Sequence, residues 1–118
     1  MNILSLNWIK CDGQNWCNLL RVDLANKHFN DLNGVYIIWA GDQVIRLGSG
    51  TIKDRLYEHK NNSEITQYPN LKVTWAKING NQMQGVEKYL ASKLPPVIGD
   101  RFPENCSAIE VNLPPIIP

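Results

Sequence analysis

Long apolar runs are missing from these 118 residues. No stretch approaches the roughly 18 apolar residues a membrane-crossing helix needs, so no membrane partner is expected. The opening MNILSLNWIKCDG has neither a charged start nor a clean apolar block, so it does not read as a signal peptide. Net charge is scarce as well: twelve lysines and arginines against eleven acids leave +1. The whole chain therefore gives no electrostatic sign of a nucleic-acid partner, and any basic surface must be local. Cysteine is sparse. Cys11, Cys17 and Cys106 are odd in number and spaced neither as a disulfide framework nor as a zinc site. They read as reduced thiols in a cytoplasmic protein. What the chain does have is the length of one domain and an apolar content of 43%, enough for a single core over residues 1–118.

Charge gathers in one place. VIRLGSGTIKDRLYEH, residues 44–59, starts as an apolar strand with Arg46 inside it, breaks on Gly48 and Gly50, and resumes as a helix. Residues 46–60 hold Arg46, Lys53, Arg55 and Lys60 against Asp54 and Glu58.

The order of elements around it follows from pattern. VYIIW (35–39) is a buried strand by its β-branched and aromatic content. QVIRL (43–47) pairs with it across AGD (40–42), read as a three-residue turn. In that register Trp39 faces Gln43, and Tyr36 faces Arg46 on one side of the sheet. A two-residue turn at Gly41-Asp42 would move Arg46 to the other side. A helix over about 51–61 follows, with Thr51 as N-cap and Asp54 suiting its dipole. Arg55 and His59, four apart, share a stripe beside the apolar Ile52 and Leu56. LKVTWAKI (71–78) is a third strand, and QMQGVEKYLASKL (82–94) a second amphipathic helix stopped by Pro95 and Pro96. CSAIEVNL (106–113) is a candidate last strand, and the Pro-rich end is extended. Residues 1–33 give no firm assignment and form an irregular N-terminal extension. The expected fold is a small α+β domain, a three-stranded and mainly antiparallel sheet flanked by helices.

Each polar residue has an ordinary explanation. Tyr36 suits a core tyrosine, Arg46 a sheet edge, and Arg55 with His59 a surface pair. Gly48 and Gly50 suit a strand-to-helix turn, though they could also admit a phosphate. Glu87 lies at the margin of its helix's apolar stripe, where a carboxylate needs a partner, and a metal ion or an arginine would serve.

Taken together, GVY at 34–36, RLG at 46–48, RLYEH at 55–59 and GVEKYLASKLPPVIGD at 85–100 resemble the GIY-YIG nuclease superfamily. The likeness covers about residues 34–100, leaving 1–33 as an extension and 101–118 as a C-terminal strand and tail. It departs from the family pattern in two places. The second-motif tyrosine is Arg46, and the position of an expected asparagine is Gly99, with Asp100 next.

The resemblance implies metal-dependent hydrolysis of phosphodiester bonds in nucleic acid, with DNA the expected partner. Tyr36 would orient the attacking water or take its proton, and Arg55 would grip the scissile phosphate. Glu87 would hold Mg²⁺ or Mn²⁺. His59 would serve as base where the second tyrosine is missing. Arg46 would lower the pKa of Tyr36 or hold a phosphate. Gly48, Gly50 and Lys53 would contact substrate. Without a separate recognition domain, sequence specificity would have to come from a homodimer or a partner protein. The alternative is a catalytically inactive domain of the same fold that binds nucleic acid or protein.

Overall fold

Four antiparallel strands and three α-helices follow one another as β1 (Cys17–Asn18), β2 (Asn33–Ala40), β3 (Gln43–Thr51), α1 (Ile52–Lys60), α2 (Ser63–Thr66), β4 (Lys72–Lys77) and α3 (Met83–Lys93). A 3₁₀ turn at Lys27–Phe29 precedes β2. The computed structural model describes residues 3–99 and 105–116, and these elements are those among the described residues. The strands lie in the order β1-β4-β2-β3. The α+β class is as expected, but the sheet has four strands rather than three. The fourth is a two-residue strand within a polar stretch: Cys17 pairs with Val73 and Asn18 with Lys72.

β2 is central and buried on both faces, which is why Val35–Trp39 is an unbroken apolar run. Tyr36 and Ile38 point to one side, where Val73 and Trp75 join Ile52 and Leu56 of α1 and Ile65 of α2. Val35, Ile37 and Trp39 point to the other, against Val86 and Leu90 of α3. The sheet is thus covered by α1 and α2 on one face and α3 on the other. Gly34 sits where β2 pairs with β4, and a Cβ there would run into the Ala76 carbonyl oxygen.

The hairpin corrects the expected register. Ala40 pairs with Gln43, so the turn has two residues, Gly41 and Asp42, not three. Gly41 takes φ 60°, which suits glycine at the first position of a tight hairpin turn. That turn alone would send Arg46 to the face opposite Tyr36. A β-bulge intervenes: Trp39 pairs with Val44 and Ile38 with Arg46, leaving Ile45 as the extra residue. The bulge returns Arg46 to the face of Tyr36. Its direct partner is Ile38, and the residue opposite Tyr36 is Gly48.

The two ends of the chain close the structure together. The Ile9 N–H donates to the Trp75 carbonyl at 3.0 Å, so the N-terminal extension runs along β4. Its Leu19, Val22, Phe29 and Leu32 belong to the α1-side core. Residues 106–113 form no strand. Leu4 and Val111 make a single parallel bridge, and the Asn112 side chain bonds both the N–H and the carbonyl of Leu6. Ile109 is drawn instead to α3, its N–H donating to the Gly85 carbonyl at 2.9 Å. Asp100 and residues 101–104, 117 and 118 of the expected tail lie outside the described residues.

Cys11 and Cys17 are joined in a disulfide with Cα atoms 4.8 Å apart, and Cys106 is free. The reduced-thiol reading fails for that pair because a tight turn brings them together. Within it, the Asn15 N–H donates to the Asp12 carbonyl, the Cys11 N–H to the Asn15 carbonyl, and Gly13 supplies a φ of 57°. The thiol argument for a cytoplasmic location falls with it. Among the described residues no helix is long and apolar enough to cross a membrane.

Candidate functional site

Tyr36 extends from the centre of β2 towards the last turn of α1. Its hydroxyl lies 2.6 Å from Nε2 of His59, and both residues are 2% exposed. Gly48, opposite Tyr36, makes room for this contact. A Cβ on Gly48 would stand 2.6 Å from the tyrosine hydroxyl oxygen. The bulge brings the half-buried Arg46 to the same hydroxyl, to which its guanidinium hydrogen-bonds. Arginine only donates, so it occupies a lone pair of the tyrosine oxygen and turns the phenol proton towards His59. His59 then carries its own proton on Nδ1, a buried atom with no protein hydrogen-bond partner among the described residues.

Arg55, on α1, is 48% exposed and pairs with Glu58 at 3.5 Å. Its side chain lies over Gly50, where a Cβ would come within 2.9 Å of Nε. The two glycines of RLGSG thus clear space for Tyr36 and Arg55. Thr51 stands at the N-cap position, but its hydroxyl bonds the Asn33 side chain and leaves the helix uncapped by it.

Glu87 comes from the other side of the sheet. The Oγ of Ser49 donates to its Oε1 at 2.7 Å. Ser49 pairs with Val35 and so faces α3. They meet because both lie on the α3 face of the sheet. The charge of Glu87 acts on Tyr36 along with those of Arg46 and Arg55. This half-buried carboxylate thus has a hydroxyl as a hydrogen-bond partner. Ser49 is the residue the sequence reading missed. A serine between two glycines has no periodicity to mark it, though its odd parity relative to Gly48 and Gly50 puts it on the α3 face.

Electrostatics separate the two partners of the buried pair. Burial raises the Tyr36 pKa above 10.0; Arg46 and then Arg55 pull it down, and Glu87 pushes it up. Arg46 acts in the expected direction, but burial outweighs it. The His59 pKa is lowered from 6.5 to about 4, first by burial and then by Arg46, with Arg55 adding to the effect and Glu58 opposing it. At neutral pH the pair is therefore a neutral phenol and a neutral imidazole.

Five of the expected residues, Tyr36, Arg46, Arg55, His59 and Glu87, converge around Gly48–Gly50. Lys53 does not join them: two residues before Arg55, it projects from nearly the opposite side of α1. Gly99 is exposed. A cavity of about 520 Å³ between β4 and the N-terminal extension includes none of these residues. A groove of about 470 Å³ adjoins the cluster, with Ser49 in its wall. Two guanidiniums, a phenol–imidazole pair and a carboxylate can together bind an anion and move a proton. No protein-family model, curated protein or solved structure matches this chain.

Proposed function

We propose that the chain is a nuclease domain that hydrolyses phosphodiester bonds in nucleic acid, with DNA its substrate and Mg²⁺ or Mn²⁺ its cofactor. The observation that carries the reading is the Tyr36–His59 hydrogen bond beside two arginines, with the charge of Glu87 also felt at Tyr36. The order of the GVY, RLG, RLYEH and GVEKYL segments, which resembles the GIY-YIG pattern, supports it.

Arg55, the most exposed cation of the cluster, would grip the non-bridging oxygens of the scissile phosphate in a fork. Arg46 would hold the Tyr36 hydroxyl and add positive charge beneath the phosphate. Tyr36 Oη would orient the attacking water. His59 Nε2 would accept the proton passed through that hydroxyl. A free His59 with a pKa of about 4 is a weak acceptor. A bound phosphate offsets the arginine charges that contribute to this depression, so substrate raises its basicity.

The metal fits in a limited way. Among the described residues no group of three or more His, Cys, Asp or Glu could cage an ion. One carboxylate, Glu87, is enough where Mg²⁺ keeps waters and takes substrate oxygens. It would supply Lewis-acid stabilisation at phosphorus.

A second reading is favoured by the near-complete burial of Tyr36 and His59. In it Arg46 is a lesion at the tyrosine position, and the domain binds without cutting. Cleavage and binding by Arg46→Ala and Arg46→Tyr separate the two. If Arg46 is a working replacement, alanine loses cleavage. Cleavage gained only in the tyrosine variant, from a parent that binds but does not cut, would establish the inert domain.

A further inference from the structure

The groove beside Ser49 differs in kind from the cluster it adjoins. It opens between the end of β3, the loop after β4, the first turn of α3 and the segment at 106–109, and holds about 470 Å³. That is within the roughly 300–1,000 Å³ of small-molecule clefts. None of its lining residues carries a charge. Met83 and Ile109 are apolar, Asn81 and Gln84 offer side-chain amides, and Ser107 offers a hydroxyl. A phosphate or a metal ion would find no opposite charge there. A flat neutral heterocycle would find apolar surface for its faces and paired donors and acceptors for its edge.

Its position gives it a role. Ser49 is both a wall of the groove and the hydrogen-bond donor to Glu87. The groove therefore begins one side chain away from the charged cluster. Its far wall is fixed: the Ile109 N–H is bonded to the Gly85 carbonyl, and the Lys88 ammonium donates to the Cys106 carbonyl at 2.8 Å. Gly85 permits this close approach, since a Cβ there would stand 2.7 Å from the Ile109 side chain and the Ser107 carbonyl oxygen.

We infer that this groove is a nucleobase pocket, which seats one unpaired base while the neighbouring phosphate lies against Arg55, beside the metal ion that Glu87 would hold. The inference rests on the nuclease reading and narrows it. A base can enter only when unstacked from its partner, so the preferred substrate is single-stranded, or a duplex with an extruded base. Asn81 and Gln84 choose the base, and the arginines hold the backbone without regard to sequence.

Two measurements on the full chain test it. In the first, adenosine, guanosine, cytidine and thymidine, all uncharged, are titrated to millimolar concentration while backbone amide resonances are followed by NMR. Saturable shifts should appear at Asn81, Gln84 and Ser107 for at least one nucleoside, and vanish in the double variant Asn81→Ala/Gln84→Ala, whose side chains are exposed and not needed for folding. In the second, single-stranded oligonucleotides carry an abasic residue at successive positions around the cleaved bond. One position should slow cleavage at least tenfold in the parent and have no such effect in the double variant. Nucleoside shifts without any cleavage would confirm the pocket and overturn the nuclease reading. Cleavage indifferent to every abasic position, with no nucleoside shift, would overturn the pocket and leave the nuclease reading standing.

Discussion

Tyr36 and His59 share one short hydrogen bond, and acid acts on it through the histidine. His59 takes a proton near pH 6.5 when unfolded but only near 4 in the fold. Below pH 6.5 the unfolded chain binds more protons, so stability falls as the pH drops towards 4, by about 3 kcal/mol in full. Urea midpoints across that range should show the fall, and His59→Gln should flatten it. Tyr36→Phe keeps the ring but leaves the imidazole without its partner. It should cost about 1–3 kcal/mol of stability and slow cleavage by about 10²–10⁴, read in a melting curve and a single-turnover assay. Arg55→Lys should fold like the parent and cut poorly, because an ammonium cannot reproduce the planar fork; an unimpaired lysine variant would make Arg55 a surface charge. Type and position alone gave each of the five clustered side chains an ordinary explanation; the resemblance of their segments to a family pattern singled them out. The two contacts that organise them were not legible in the sequence. Burial of His59 while Arg55 stays out depends on how α1 is rotated on the sheet, and the Ser49–Glu87 bond crosses from β3 to α3.

The hairpin shows how an element can keep an outcome while changing its cause. Arg46 does share the face of Tyr36, but through a two-residue turn and a bulge whose effects on parity cancel. Strand pattern marks β2, β4 and the first half of β3, and helical spacing marks α1 and α3; Gly48–Gly50, expected as a turn, instead carry β3 on to Thr51. A bulge shifts pairing by one residue without altering composition, so neither pattern reports it. Glycines discriminate between positions at this scale. Gly34→Ala drives a methyl into the Ala76 carbonyl and should destabilise by about 3 kcal/mol or more, since the central strand pairing must yield. Gly41→Ala has open space around it and meets only the left-handed backbone. It should cost about 1–2 kcal/mol. Chemical denaturation of the two variants checks the order, and a larger loss at Gly41 would contradict the strand register.

As a whole, the molecule is held by its ends as much as by its sheet. The extension before β2 supplies a strand, part of one core and the disulfide between Cys11 and Cys17. Little of this was legible, because two-residue strands and turn-closed cysteine pairs leave no periodic trace. Reducing that disulfide, which spans a separation of six residues, should lower stability by about 2 kcal/mol on the chain-entropy account, measured by denaturation with and without reductant in a Cys106→Ser background. The proposed function would draw on both faces of the sheet, with Tyr36 and His59 on the α1 side and Glu87 on α3. Single-turnover cleavage of a labelled single-stranded oligonucleotide, with and without Mg²⁺, by the parent and by Glu87→Ala tests this most directly. The parent should cut only when the metal is added, and the variant should be at least 100-fold slower with an unchanged melting temperature. Equal cleavage by the two proteins, or a parent that binds the oligonucleotide and never cuts it, would contradict the account.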